Sequence, residues 1–284
     1  MTELAVEVGG LRKRYGELTA VDGVDLGIRR GEVFGILGPN GAGKSTTVEI
    51  LQGHRSRDEG TVTVLGVDPA RADRRWRSRV GIVWQDESAP AELTVRETVA
   101  HFARYYPGPR DCEDVIALVG LEQKAGARVK ELSGGRRRRL DVALGVIGSP
   151  ELLLPDEPTT GFAPGARRRF WELIRLLARE GTTIVLTTHY LEEAEALAGR
   201  LAVISAGKVV AEGEPAALRE RFGTHATVEW TEPDGTPRSE PTTAPTRTVA
   251  GLIGRFDGEI PGLRVTRPTL EDVYLRLTGQ ERTR

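Results

Sequence analysis

Nine consecutive residues, Gly38-Pro39-Asn40-Gly41-Ala42-Gly43-Lys44-Ser45-Thr46, carry the densest chemistry in the chain. Polyphosphate concentrates negative charge and is held where several backbone N–H groups converge without side-chain obstruction. The glycines permit that approach. Lys44 adds a mobile positive charge for β- and γ-phosphates, and the Ser45 hydroxyl can ligate Mg²⁺ at the start of a helix. An ordinary glycine-rich turn with an incidental Lys and Ser is the bland alternative. The spacing and the strand-loop-helix setting both argue against it.

Phosphate binding alone does not specify hydrolysis. The run Glu151-Leu152-Leu153-Leu154-Pro155-Asp156-Glu157 reads as a buried apolar strand ending in two adjacent carboxylates. They can divide the work: Asp156 helps to hold hydrated Mg²⁺, while Glu157 orients, or takes a proton from, the water attacking the γ-phosphate. A pair of acids capping a strand end is the alternative, weakened by the phosphate loop upstream.

These residues need a frame. Residues 3–8 and 24–28 alternate apolar with polar, as half-buried strands do, and flank a loop containing Tyr15; an antiparallel edge sheet is expected. Residues 32–37 form an apolar run into Gly38, with a helix from about Gly43 to Leu51. Further buried strands are expected at 80–84, 152–154, 183–187 and 201–205, each separated by enough chain for a crossover, so the sheet should be mainly parallel. The pattern turns helical at 95–105, 111–119 and 134–147, which reads as an inserted lobe over about 86–150. After Phe222 the composition changes: 231–248 is rich in Pro, Thr and charge, which is loop chemistry, between short strands at 227–230 and 264–266. A last helix is expected from Thr269, a capping box with Asp272, burying Leu270, Val273 and Leu277. The fold class is thus α/β with a small α+β C-terminal module, divided as 1–221 and 222–284.

Composition removes some function classes. Lys and Arg number 40 against 41 for Asp and Glu, a formal net charge of −1, so no global field recruits nucleic acid or anionic lipid. The runs Arg136 to Arg139 and Arg167 to Arg169 spread around their helices and lack interleaved aromatics; they read as solvated faces or as parts of their helices with a signature-helix role, and no nucleic-acid partner is expected. A single cysteine, Cys112, precludes an intrachain disulfide and reads as helical filler. Trp76, Trp84 and Trp171 read as core or interface residues. No stretch of about eighteen uncharged apolar residues occurs, and a cytoplasmic location is expected.

The phosphate loop, Leu132-Ser133-Gly134-Gly135, Asp156-Glu157-Pro158-Thr159-Thr160-Gly161 and Thr187-Thr188-His189 occur in the order found in ATP-binding cassette (ABC) transporter ATPases, which this chain resembles over roughly residues 3–215. The resemblance implies a P-loop NTPase core that binds ATP and Mg²⁺ and hydrolyses the nucleotide. It implies that Ser133, Gly134 and Gly135, at a helix N-terminus, meet the γ-phosphate held by a second ABC subunit, a homodimer being expected. It further implies that Gln85 senses Mg²⁺ or the attacking water, that His189 contacts the γ-phosphate, and that Tyr15 stacks on adenine. Lys44, Glu157 and His189 are thus the catalytic candidates; Ser45, Gln85 and Asp156 are the metal candidates.

The departures from the family pattern carry information. Arg136 stands where Gln is usual, and Phe162-Ala163 where Leu-Asp is usual, so Ala163 puts communication between subunits in doubt. Pro155 removes a ladder donor where a central strand should be paired. Slow or poorly cooperative hydrolysis is expected. The segment Pro268 to Gly279 resembles the tail of daunorubicin-resistance exporter ATPases, implying drug, antibiotic or lipid-like export through a separate integral-membrane permease, with the chain peripheral on the membrane's inner face. Two alternatives stand beside this: a catalytically weak regulatory ABC subunit of a heterodimer, and a soluble ABC ATPase with no transport role.

Overall fold

A computed structural model of the chain describes residues 3–83, 92–223, 225–256 and 258–279. The chain divides into two compact units, Met1–Glu214 and Pro215–Arg284.

In the first unit, β1 (Leu4–Tyr15) and β2 (Leu18–Arg29) form a long antiparallel hairpin. β3 (Val33–Leu37) leads through the glycine loop into α1 (Lys44–Leu51), and β4 (Glu59–Val64) returns to pair with β1. After the short helix α2 (Arg74–Arg77) comes β5 (Val80–Val83). A helical group follows: α3 (Val95–Ala103), α4 (Cys112–Leu118) and α5 (Gly134–Val146). The chain then runs β6 (Leu152–Pro155), α6 (Pro164–Arg179), β7 (Thr183–Thr188), α7 (Leu191–Leu197), β8 (Arg200–Ser205) and β9 (Lys208–Gly213). The six-stranded sheet has the order β5-β6-β7-β3-β8-β9 and is parallel except for the β8–β9 pair.

The mainly parallel sheet, the antiparallel side sheet and the helical insertion are those expected. Both faces of the parallel sheet are covered, which is why its strands read as continuous apolar runs. Leu152, Leu154 and Val185 pack on one side with Val48 and Leu51 of α1 and with the β1-β2-β4 sheet. Leu153, Ile184 and Leu186 point the other way, against Leu140 of α5 and Phe170 and Ile174 of α6.

Two expectations need correction. The side-sheet strands are twice the anticipated length, and Tyr15 ends β1 instead of lying in a loop. Register shifts at Val8/Leu11 and positive φ at Gly10 and Gly23 interrupt the alternation, so periodicity shows only part of each strand. The missing donor at Pro155 leaves its mark without ending β6: Pro155 pairs with Val83 on one side, while on the other the β6–β7 ladder lapses after Leu153 and resumes at Asp156 opposite Thr187. Nor is 231–248 a loop. In the second unit, α8 (Pro215–Phe222) is followed by β10 (Ala226–Thr231), β11 (Pro237–Thr242), α9 (Pro245–Ile253), β12 (Arg264–Thr266) and α10 (Leu270–Thr278). β11 contains two prolines yet is an edge strand in the order β11-β10-β12, where a missing N–H is tolerated. The Thr269–Asp272 capping box is formed; Leu270, Val273 and Tyr274 are buried, and Leu277 is half-buried.

Candidate nucleotide site

The glycine loop is dictated by close backbone approaches. A Cβ at Gly38 would lie 2.4 Å from the Ile204 carbonyl oxygen, and one at Gly43 2.3 Å from that of Ala20. Gly43 also has φ +102°, in the left-handed region that glycine tolerates. Gly41, at φ +77°, has open space around it and is exposed, as is Asn40; Pro39 and Thr46 are half-buried, and Ala42 is buried. The loop therefore passes straight from a buried strand end to the N-terminus of α1, whose first amides have no intrahelical acceptor and favour an anion.

Lys44 is only 4% exposed. Its Nζ donates to the carbonyl oxygens of Gly38 at 2.9 Å and Pro39 at 3.2 Å, and stands 3.3 Å from Glu157 Oε1. The other Glu157 oxygen, Oε2, is 3.2 Å from His189 Nδ1, so one carboxylate lies between the loop ammonium and an imidazole. Glu157 has φ +42°, a strained value for a residue with a side chain, and its N–H donates to Thr187 Oγ1 at 2.9 Å. That same hydroxyl donates to Asp156 Oδ1, and Ser45 Oγ reaches the same oxygen at 3.4 Å. Thr187, on β7, thus fixes both acids at once. A hydroxyl and a carboxylate side by side are hard oxygen donors of the kind Mg²⁺ takes, beside a cradle shaped for phosphate. The donor set fits the metal and the nucleotide implied by the sequence.

The structure brings Lys44, Ser45, Asp156, Glu157 and His189 into one cluster. Gln85 and Trp84 lie outside the described residues. Tyr15 is 39% exposed at the end of β1, with the Arg55 guanidinium 5.2 Å and the Lys13 ammonium 5.6 Å from its ring centre. Ser133 caps α5 with no side-chain bond to the helix, and nothing lies within 4 Å of the space that side chains at Gly134 or Gly135 would occupy. Among the described residues, no hydrogen bond or ion pair joins these three to the Lys44–Glu157 cluster, and they present a bare helix N-terminus at the surface.

What does join α5 to the cluster is Arg138, and this corrects the reading of the whole run as a solvated face. Arg138 is buried, donating from Nη2 to the Asp156 carbonyl at 2.7 Å and from Nε to that of Pro158 at 3.2 Å. Arg139 is turned inward to the carbonyls of Val119 and Gly120, whereas Arg136 is exposed. In the second run, Arg167 lies over the Tyr190 ring at 4.5 Å, and Arg168 and Arg169 are exposed. Glu193 is a second buried charge that the sequence concealed: fully enclosed on α7, it accepts from Trp171 Nε1 at 3.2 Å, and burial pushes its carboxyl above the usual range.

The Phe162-Ala163 departure has a structural meaning. Phe162 is buried and meets Phe170 edge-on at 6.3 Å, while Ala163 occupies the N-cap of α6 with no side-chain bond. Ala is among the poorest N-caps and Asp among the best. Ala163→Asp is therefore expected to stabilise the protein by about 1 kcal/mol in chemical denaturation; an unchanged midpoint would show that the α6 terminus gains nothing from the cap.

The ABC transporter family model matches residues 21–160, from the second half of the hairpin through the paired acids. Among curated proteins, the chain is 41% identical over 306 residues to the Nod factor export ATP-binding protein I of Rhizobium sp. (strain N33), covering 99% of each. It is 42% identical to the protein of the same name from Ralstonia nicotianae, covering 97% of this chain and 94% of that one. Solved structures agree: an ATP-binding cassette dimer in a post-hydrolysis state with ADP and Pi superposes with a TM-score of 0.67 at 26% identity, over 74% of this chain and 98% of that one. The ATP-binding subunit of an ABC transporter gives a TM-score of 0.70 at 26% identity, over 78% and 93%. The fold and the glycine-loop site thus define an ATP-binding cassette ATPase. The chain belongs to the ABC transporter family.

Proposed function

We propose that this chain is the ATP-hydrolysing subunit of an exporter and drives a separate integral-membrane permease. The observation that carries the hydrolytic part is the Glu157 carboxylate, held between Lys44 Nζ and His189 Nδ1 with Asp156 and Ser45 alongside. In this reading the loop amides from Gly38 to Thr46 and the Lys44 ammonium grip the nucleotide's phosphates. Ser45 and Asp156, with Gln85, hold the Mg²⁺. Glu157 accepts the proton of the attacking water, His189 orients it, and Tyr15 stacks on the base. When bound, Mg²⁺ offsets the charge that develops on the leaving phosphates.

Two features support the partners. The unsatisfied N-terminus of α5 at Ser133, Gly134 and Gly135 suits an anion supplied from outside the chain, which favours a dimer of two copies sharing nucleotides. A cavity of about 420 Å³ lined by Trp76, Arg77, Phe102, Tyr106 and Leu144 suits a permease segment. No helix among the described residues is long and apolar enough to cross a membrane, in keeping with a peripheral subunit on the inner face. The curated relatives carry Nod factor export in their names, not drug resistance, so the drug or antibiotic substrate implied by the tail has no support from them; export itself is what they favour.

Mg²⁺-dependent phosphate release from the purified chain, alone and with its permease, is the test. Release is expected, and Lys44→Ala should weaken Mg-ATP binding by about two orders of magnitude, since it removes a charge-assisted contact from a buried site. Release that never rises above background in either setting would instead favour the regulatory-subunit reading.

A further inference from the structure

A second cationic site lies away from the paired acids, in a cavity of about 760 Å³ bounded by α5, α6 and the end of α4. Arg136 and Arg139 enter it from α5, Arg169 and Arg179 from α6, and Lys124 from the turn after α4. Only two carboxylates, Glu122 and Glu172, share its lining. In a chain whose formal charge is −1, this local excess is not a consequence of composition. Among the described residues, no ion pair or hydrogen bond engages the side chain of Arg136, Arg169 or Arg179.

Two of these guanidiniums are forced together. Gly120, at φ +66°, ends the turn after α4, and a Cβ there would lie 3.1 Å from Arg139 Nη1 and 3.6 Å from Arg169 Nη1. Arg139 donates that nitrogen to the carbonyls of Val119 and Gly120 and leaves its Nε without a partner. Burial, followed by the neighbouring charges of Arg169 and Arg136, pulls the Arg139 guanidinium below its usual range, and Glu122 opposes the shift only in part. Convergent guanidiniums without carboxylate partners match the fork geometry of phosphoryl oxygens.

We propose that the Arg136–Arg139–Arg169–Arg179 cavity binds a phosphoryl group of two or more negative charges, carried either by a free polyphosphate or by a lipid headgroup. The site sits on the helix that begins at Ser133, so its occupant would offset positive charge on the N-terminal half of α5 and along α6 together. It requires neither the glycine loop nor the assigned roles of Glu157 and His189.

Pyrophosphate titrated calorimetrically into Lys44→Ala protein is the probe, because that background weakens the glycine-loop site. Saturable binding is expected, at least about tenfold weaker when Arg169→Gln and Arg179→Gln are added, since each removes a charge-assisted contact. Both side chains are exposed and unpaired, so the unfolding midpoint should not move, and the Arg169→Lys/Arg179→Lys pair should keep most of the affinity. Retention on phosphatidic acid vesicles that free pyrophosphate displaces would identify the headgroup source; calorimetric binding without vesicle retention would identify the free anion. The proposal is overturned if Lys44→Ala protein binds no pyrophosphate, or if the Gln pair binds it as tightly as its parent. Mg-ATP affinity of the same Gln pair with Lys44 intact is expected to be unchanged, so failure here stays distinct from failure of the nucleotide site.

Discussion

Glu157→Gln is expected to lower the rate of phosphate release by about two to four orders of magnitude, the span that a positioned general base contributes, while leaving Mg-ATP binding intact. The geometry explains why the two effects should separate. Gln keeps the length of the side chain and an oxygen to accept from Lys44 Nζ, which also remains anchored to the Gly38 and Pro39 carbonyls. The backbone N–H of residue 157 still donates to Thr187 Oγ1, so Asp156 and the strained turn should keep their places. What disappears is a negative charge and a basic oxygen next to His189 Nδ1. Because ATP then persists in its site, the variant should also accumulate as dimers with ATP in size-exclusion chromatography. Near-parental release from Glu157→Gln would remove this carboxylate from the chemistry and leave His189 as the base to examine.

The residues that speak most plainly in the sequence are those whose job is local. Gly38 and Gly43 are readable because a Cβ at either position would lie within 2.4 Å of another residue's carbonyl oxygen, so neither admits a side chain. Asp156 and Glu157 are readable because the two acids end an apolar strand in a chain that already carries a phosphate loop upstream. Legibility fails where a residue's partner is distant in sequence or where glycine breaks a period. The bulges at Gly10 and Gly23 hid half of the hairpin, and the prolines of β11 imitated a loop because nothing local says that a strand lies at an edge. Glu193 sits in a run of acids that reads as a solvated helix face, and only the fold brings Trp171 to it. Arg138 is not legible from its run either: counted along the helix it shares a face with the buried Val142 and Gly145, but Arg136 likewise shares one with the buried Leu140 and Ala143. Only the fold, which brings the Asp156–Pro158 turn to α5, tells the two apart.

Arg138→Met is the second large effect expected, and it acts through position, since the bonds from Arg138 to the acid-bearing turn go to backbone carbonyls. Its guanidinium gathers the carbonyls of Asp156, Glu157 and Pro158, the peptide units that carry both carboxylates into the site. Without it, three buried or nearly buried oxygens lose a charge-assisted donor, a cost on the order of 2–3 kcal/mol of folding stability. The turn is also the place where Glu157 holds φ +42°, a conformation that persists only while its surroundings insist on it. Relaxation there moves the Glu157 oxygens relative to Lys44 and His189, and a misplacement of about 1 Å is enough to cost about a hundredfold in rate. The phosphate loop, built from β3 and α1, does not depend on Arg138, so KM for ATP should stay within a few-fold while kcat falls by one to two orders of magnitude. Arg138→Lys should recover stability more than rate, because one ammonium can satisfy a carbonyl but cannot span three. Equal losses in ATP affinity and in kcat would refute the positioning role and mark the change as general damage to the fold. In the proposed mechanism α5 would thus join two ends of the site: it begins at the exposed Ser133 terminus and, one turn further on, Arg138 holds the peptide that carries Glu157.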